Sequence, residues 1–222
     1  MAKETNGKRS PAEESYRRLY QAIVQGQLLP NERLVELDLA EKFDSARADI
    51  RTALARLAQE GLVEREPNRG ARVRAVSEAE AVEIYEARAV LEGLAARYAA
   101  RNASKQDIVK LRAIHTQMQQ RHKKGDLLGM SDLNAPLHAE LLRIAAHQTA
   151  TRLIERLRAQ NVRFQYRTIL VPGRADRSLA EHRAIVDAVA AHNEDAAEKA
   201  MRTHIANVVE ALRQSTRTNS FV

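Results

Sequence analysis

The chain of 222 residues is 44% apolar and 29% charged, enough for a core and too balanced for global disorder, so its length fits one large domain or two modest ones. It contains no cysteine, which removes disulfides, thiolate nucleophiles and cysteine zinc sites and leaves histidine and oxygen donors for any metal. A formal charge of +7 favours a polyanionic partner, but residues 1–75 carry 14 Lys and Arg against 12 Asp and Glu, so a nucleic-acid argument rests on where the arginines sit.

The opening stretch MAKETNGKRS has no apolar core of a signal sequence, and nothing elsewhere approaches the roughly 18 apolar residues of a membrane span. The chain is therefore expected to be cytoplasmic, with no membrane partner. Residues 1–9 are expected to be a disordered tail. Ser10-Pro11-Ala12-Glu13 reads as a capping box with proline at the first helical position, and Tyr16, Leu19 and Ile23 continue a helix from about Pro11 to Gln25. Leu34, Leu37, Ala40 and Phe43 recur every third residue and predict a short second helix over about Val35 to Phe43. A third helix runs from about Ala46 to Glu60, ended by Gly61. The period then changes to two: Leu62–Arg65 and Ala71–Arg74 alternate around Pro67-Asn68-Arg69-Gly70, as a hairpin does.

Three helices followed by a hairpin, with a short turn between the second and third, make the layout of a winged helix-turn-helix over residues 10–76. On the third helix Ile50, Leu54 and Leu57 share one face, while Arg47, Ala48, Arg51, Thr52 and Ala55 face away. Small residues let a helix approach a groove closely, and arginine can grip a guanine edge or a phosphate. Arg47 and Arg51, with Thr52 beside them, are thus the leading candidates for DNA contact, and Arg69 and Gly70 at the wing tip for the adjacent minor groove or backbone. Exposed arginines are otherwise ordinary solvated surface.

The segment from Ser15 to Val73 resembles the DNA-binding module of GntR-family bacterial regulators. The likeness is carried by the LAEKF segment, the R-x-x-x-R-x-A-L pattern from Arg47 to Leu54, the EGLV from Glu60 and the Pro67–Ala71 wing. Three positions depart from that pattern: Ala46 replaces a capping serine, Asp49 a common proline and Asn31 a usual glycine. The lost hydroxyl costs about 1 kcal/mol unless Asp44 or Ser45 substitutes for it.

From Ser77 onward only helical signals remain, opening on a second capping box, Ser77-Glu78-Ala79-Glu80. Further helices are expected over Ser104–Lys123, Ser131–Ala146, Thr149–Leu170, Ser178–Ala191 and Glu194–Arg213, so residues 77–217 form an all-helical antiparallel bundle and residues 218–222 a flexible tail. The fold class is mainly α. His182 and His204 each stand eleven residues from Asn193, at the turn between the last two helices, so they lie at the same height on inward faces. Asn134 and His138 stack one turn apart on a face that Leu137 and Leu141 direct inward. Three imidazoles and an amide oxygen can hold a divalent metal with positions open for a ligand; the alternative is a set of hydrogen-bonded core histidines. His115, His122, His147 and His192 read as surface or helix-end residues. Arg88, on the stripe of Ile84, Leu91 and Ala95, is either a clamp for an effector carboxylate or half of an internal pair, with Glu92 as one partner. Arg163 and Tyr166 reach the same cavity by helical phase alone.

The segment from Glu83 to Glu92, the N-x-x-L-H at Asn134–His138, the Glu181-His182-x-x-Ile185 pattern and Met201-x-x-His204 resemble the sensor domain of FadR-type regulators, of the FCD class. The resemblance implies zinc, nickel or a similar ion beside which a small organic acid docks. It also implies a homodimer on a pseudo-palindromic double-stranded DNA operator, acting as a ligand-responsive repressor. The family's aspartate is here Asn134, so the site is one negative charge poorer, and weaker metal retention or ligation by the three histidines alone follows. An enzyme built on the histidine centre would lack an evident general base and leave the N-terminal module unexplained. A winged helix devoted to protein contacts is opposed by the Arg47 and Arg51 face.

Overall fold

The Ser10 hydroxyl accepts the amide of Glu13 and, with Pro11 in the first turn, starts α1 (Pro11–Val24). The computed structural model describes residues 10–66 and 70–219, and of residues 66, 162, 163, 165, 166 and 216–219 the backbone alone. After α1 come β1 (Arg33–Leu34), α2 (Glu36–Lys42), α3 (Arg47–Gln59), β2 (Val63–Glu66) and β3 (Gly70–Val73). The chain divides into two compact units between Val76 and Ser77.

In the first unit α1 and α2 both pack on α3, and Leu19, Ile23, Leu39, Ile50, Leu54 and Leu57 are buried among them. The sheet has three strands in the order β1-β3-β2, all antiparallel, with Val63 opposite Val73 and Leu34 opposite Ala71. The sequence led to a two-stranded hairpin. The third strand escaped because two residues offer no alternation to read; it is fixed by a pair of backbone bonds, Asn31 N–H to Val73 O and Val73 N–H to Glu32 O, both 2.9 Å. Asn31 itself sits in the left-handed region, φ 64°, which asparagine tolerates better than most side chains and which explains how it stands in for a glycine.

The second unit holds α4 (Glu78–Asn102), α5 (Lys105–Lys123), α6 (Leu127–Asp132), α7 (Asn134–Ala145), α8 (Gln148–Ile169), α9 (Arg174–Ala190) and α10 (Glu194–Asn219). One expected helix, Ser131–Ala146, is two. Pro136 has no N–H to bond back across a continuous helix, and the break at Leu133 puts it in the first turn of α7, where no such bond is needed. α9 starts at Arg174, a turn before Ser178, because the polar Arg174-Ala175-Asp176-Arg177 run hides a turn whose Arg174 and Ala175 are buried. α10 continues past Arg213 into the segment expected as a tail, and residues 1–9 and 220–222 lie outside the described residues.

α4 is the central helix, packed by α7, α8, α9 and α10. Its small face makes this possible: Ala95, Ala96, Ala99 and Ala100 are buried, and α10 answers with Ala197, Met201 and Ile205. The two run antiparallel, since Arg101 near the end of α4 pairs with Glu194 at the start of α10 at 2.8 Å. Gly93 faces Arg202 and Glu198 of α10. A β-carbon there would lie 2.9 Å from Cγ and 3.1 Å from Nε of Arg202. Gly93→Val should therefore destabilise the chain by about 1–3 kcal/mol through overpacking, read as a lowered urea midpoint with an unchanged slope. An unchanged midpoint would mean that Arg202 yields without cost.

Candidate DNA-binding face and candidate metal centre

α3 begins without a side-chain cap. Ala46 occupies the capping position, and the Ser45 hydroxyl is spent on the carbonyl of Phe43 at 3.0 Å, so neither it nor Asp44 replaces the missing serine. The first amides of α3 are left for solvent or an anion. Arg47, Ala48, Arg51 and Thr52 are exposed, while Ile50, Ala53, Leu54 and Leu57 form the buried underside. The Thr52 hydroxyl donates back to Ala48 O at 3.0 Å, which leaves its lone pairs outward.

Both arginines converge on Glu36 at the start of α2. Arg47 donates through Nε at 3.1 Å, and Arg51 through Nε at 3.2 Å and Nη2 at 3.1 Å. These bonds, Arg51's foremost, hold the Glu36 carboxyl below its ordinary range. Glu36 leaves both terminal nitrogens of Arg47 and Nη1 of Arg51 unengaged. Sequence reasoning missed Glu36, since a partner eleven and fifteen residues away leaves no periodic trace. A groove of about 760 Å³ runs here, lined by Arg33, Arg47, Arg51 and Arg65 with Glu36 among them. Gly70 opens β3 at the groove's edge with φ 88° and nothing within 4 Å of where a side chain would start. Arg69 lies outside the described residues.

In the second unit the structure brings together His138 of α7, His182 of α9 and His204 of α10. All three are buried, their ligating atoms lie within 4.8 Å of one another, and the His182 and His204 ring centres are 4.3 Å apart. Each ring is oriented from outside. Nδ1 of His138 bonds Glu92 Oε2 at 2.5 Å, Nδ1 of His204 bonds Glu181 Oε2 at 2.8 Å, and Nδ1 of His182 meets the Ser178 hydroxyl at 3.4 Å. That leaves Nε2 of each ring for ligation, the usual arrangement of imidazoles held by an outer shell. Burial pushes His138 down to about 4 against the pull of Glu92, and pushes His182 well below its ordinary value, with His204 and His138 adding to the effect. Both are neutral, the form that binds metals.

Three buried side-chain atoms have no hydrogen-bond partner among the described residues: His182 Nε2, Asn134 Oδ1 and, on α8, Asn161 Oδ1. Orphaned buried polar atoms are uncommon, and the first two of these belong to the cluster and to the cavity beside it. Three imidazoles whose ligating atoms lie this close together are a donor set that fits a divalent transition metal.

The cavity, about 50 Å³, is lined by Asn134, His138, His204, Arg88, Arg158 and Arg174 among others. This is room for a few waters or a short acid. Arg88 makes the internal pair: Nε and Nη2 reach Glu92 Oε1 at 2.8 and 2.7 Å, and the guanidinium lies over the Tyr85 ring. Burial raises the Glu92 carboxyl, but Arg88 and then His138 outweigh it and hold it well below the usual range. Arg174 pairs with Glu181 at 2.9 Å, and Asn207 donates to the other Glu181 oxygen at 2.8 Å. Arg158 and Arg174 were not legible as cavity residues: Arg174 sits in the turn that the apolar pattern cut off. Arg163 and Tyr166 are on α8, with side chains outside those described. Among the remaining histidines, His115 corrects the surface reading: it is buried, with Nε2 on Leu179 O at 3.1 Å. His122 pairs with Asp176, His147 caps α8, and His192 follows α9 in the left-handed region.

Residues 83–207 match the FCD domain, and residues 11–73 match the bacterial regulatory proteins of the gntR family. Over 205 residues the chain is 29% identical to the HTH-type transcriptional repressor RspR of Escherichia coli K12, covering 92% of this chain and 90% of that one. It is 30% identical over 198 residues to a probable D-xylose utilization operon transcriptional repressor of Paenarthrobacter nicotinovorans, covering 87% and 84%. Among solved structures it resembles E. coli McbR/YncC, with a TM-score of 0.79 at 20% identity over 93% of this chain and 99% of that one. A GntR regulator from Rhodococcus sp. RHA1 aligns with a TM-score of 0.71 at 21% identity over 93% and 99%. These two likenesses show the shared fold.

Removing Glu92 would strand a buried guanidinium and the Nδ1 of His138. Glu92→Ala should cost about 3–5 kcal/mol, measured by urea unfolding of the full chain. A cost under about 1 kcal/mol would mean that water already reaches the pair.

Proposed function

The chain belongs to the gntR family of bacterial regulatory proteins, with an FCD domain after its DNA-binding module, and from that premise we propose a homodimeric, ligand-responsive transcriptional repressor acting in the cytoplasm. It is a transcriptional regulator and not an enzyme. The repressor sense follows RspR and the D-xylose operon regulator, both so named. No helix among the described residues is long and apolar enough to cross a membrane.

The observation that carries the DNA reading is the exposed face of α3. Ala48 lets the helix sit deep in the major groove, while Arg47 and Arg51 supply the hydrogen-bond forks for guanine edges or phosphates and Thr52 an accessory contact. Glu36 fixes the two side chains before DNA arrives, through Nε of Arg47 and through Nε and Nη2 of Arg51, which lowers the entropy lost on contact. The wing, through Gly70 and Arg69, takes the adjacent minor groove or backbone. In a dimer the two recognition helices meet half-sites about one DNA turn apart, or a multiple of it, on a pseudo-palindrome.

The second unit is the sensor. His138, His182 and His204, with Asn134, would hold a zinc or nickel ion, which would supply a positive charge for a small organic acid in the cavity. Arg88, oriented by Glu92, and the α8 residues Arg163 and Tyr166 are the effector contacts. Effector binding changes the separation of the recognition helices and relieves repression.

Two measurements test this. Fragments selected from the source genome should bind with an affinity that falls steeply with salt; Arg51→Ala and Arg47→Ala should each cost about 1–3 kcal/mol on the selected fragment. Equal binding to random duplex would sink the DNA reading. The joint replacement of His182 and His204 by alanine should abolish uptake of zinc and nickel, assayed by elemental analysis after gel filtration, while the far-ultraviolet spectrum stays helical. Metal content equal to that of the parent chain would refute the centre.

A further inference from the structure

We propose that Glu36 divides the arginines of the groove on the first unit into two sets, keeping Arg47 and Arg51 for the neutral edges of bases and leaving Arg33 and Arg65 to take the anionic phosphates. The inference rests on reading this groove as the DNA-binding face, and it makes Glu36 a residue that sets specificity rather than affinity.

The charges impose the division. Among the described residues that line the groove, Glu36 is the one acid, against four arginines. Its side chain is the less exposed member of each pair, 22% against 63% for Arg47 and 57% for Arg51. It stands in the first turn of α2, while both arginines reach it from α3, so the acid has a fixed place behind the two guanidinium groups. Two guanidinium groups and one carboxylate sum to a single positive charge. A phosphate oxygen that bonds either arginine then lies one guanidinium away from a second anion, and like charges at that range repel. The O6 and N7 acceptors of guanine carry no net charge and escape this repulsion. Glu36 therefore penalises the contact that any duplex can offer and spares the contact that reads a base.

Arg33 and Arg65 are placed differently. Both are exposed, and neither side chain has a hydrogen-bond or ion-pair partner among the described residues. They stand on the two strands that flank β3, Arg33 opposite Arg72 and Arg65 opposite Ala71. With no carboxylate bonded to it, each guanidinium offers its whole charge to a phosphate. Contacts of that kind fix the position of a protein on the duplex and carry no sequence information.

The test compares the full chain with its variants on two duplexes of equal length, the fragment that the parent chain selects from its source genome and a random sequence. Affinity is read by fluorescence anisotropy over a series of potassium chloride concentrations. Glu36→Gln keeps the shape of the side chain and removes its charge. It should bind the random duplex about threefold or more tighter than the parent, with a slope of log affinity against log salt steeper by up to about 0.9, so that its preference for the selected fragment falls. Arg33→Ala and Arg65→Ala should each weaken both duplexes by the same factor, about threefold or more, and flatten the slope by about 0.9. Arg51→Ala should weaken the selected fragment by about tenfold and the random duplex by less than about twofold. A Glu36→Gln chain that loses affinity for the selected fragment and gains none for the random duplex would mean that Glu36 only holds the arginines in place, and would overturn the division. So would Arg51→Ala weakening the random duplex as much as Arg33→Ala does, a comparison that stands even if the glutamine variant does not fold. A parent chain that prefers no fragment would overturn the DNA reading itself, and the division with it.

Discussion

The carboxylate of Glu92 is the constraint around which the second unit is organised. One oxygen neutralises Arg88 on its own helix, and the other holds His138 across the packing of α4 against α7. An ion pair and an imidazole buried this deeply are expensive to desolvate, and apolar residues of the same volume would often give a bundle at least as stable. Their presence keeps a polar cavity inside a core otherwise filled by alanine, leucine and isoleucine. The Glu181 carboxylate repeats the arrangement at the other end, tying Arg174 of α9 and His204 of α10. Two acid groups thus set the tautomer and direction of two imidazoles, and the third, His182, is placed by its neighbours and by Ser178.

Much of this was readable from helical arithmetic. Equal spacing of His182 and His204 about Asn193 requires only that the two helices be antiparallel and straight, and the ring centres lie 4.3 Å apart. The i, i+4 relation of Asn134 and His138 depends on α7 alone. Partners contributed by other helices were harder. His138 reaches Glu92 over 46 positions and Arg51 reaches Glu36 over 15, so no local period joins them. Other errors came from short-range features that hydrophobic patterns ignore. A two-residue strand has no alternation, a proline resets a helix in mid-stripe, and a buried arginine at position 174 reads as surface until its carboxylate is found.

The first unit shows why total charge was a poor guide. Its acidic and basic residues nearly balance, and many arginines are spoken for: Arg56 by Glu13 and Glu60, Arg72 by Glu64, Arg17 and Arg18 by Glu14. Arg47 and Arg51 also touch a carboxylate, but they share the one Glu36, Arg47 through Nε and Arg51 through Nε and Nη2, and both stay exposed. Two guanidinium groups on one carboxylate leave a positive charge over on the exposed face of α3. Composition does not record that.

The shared use of the Glu92 oxygens also constrains how this chain can change over generations. Because one acid group serves Arg88 and His138 together, altering any of the three alone leaves a buried ionic or polar group without its counterpart. Positions 88, 92 and 138 form an epistatic unit: single-step paths away from the present combination pass through an unstable intermediate, while paired changes cross more cheaply.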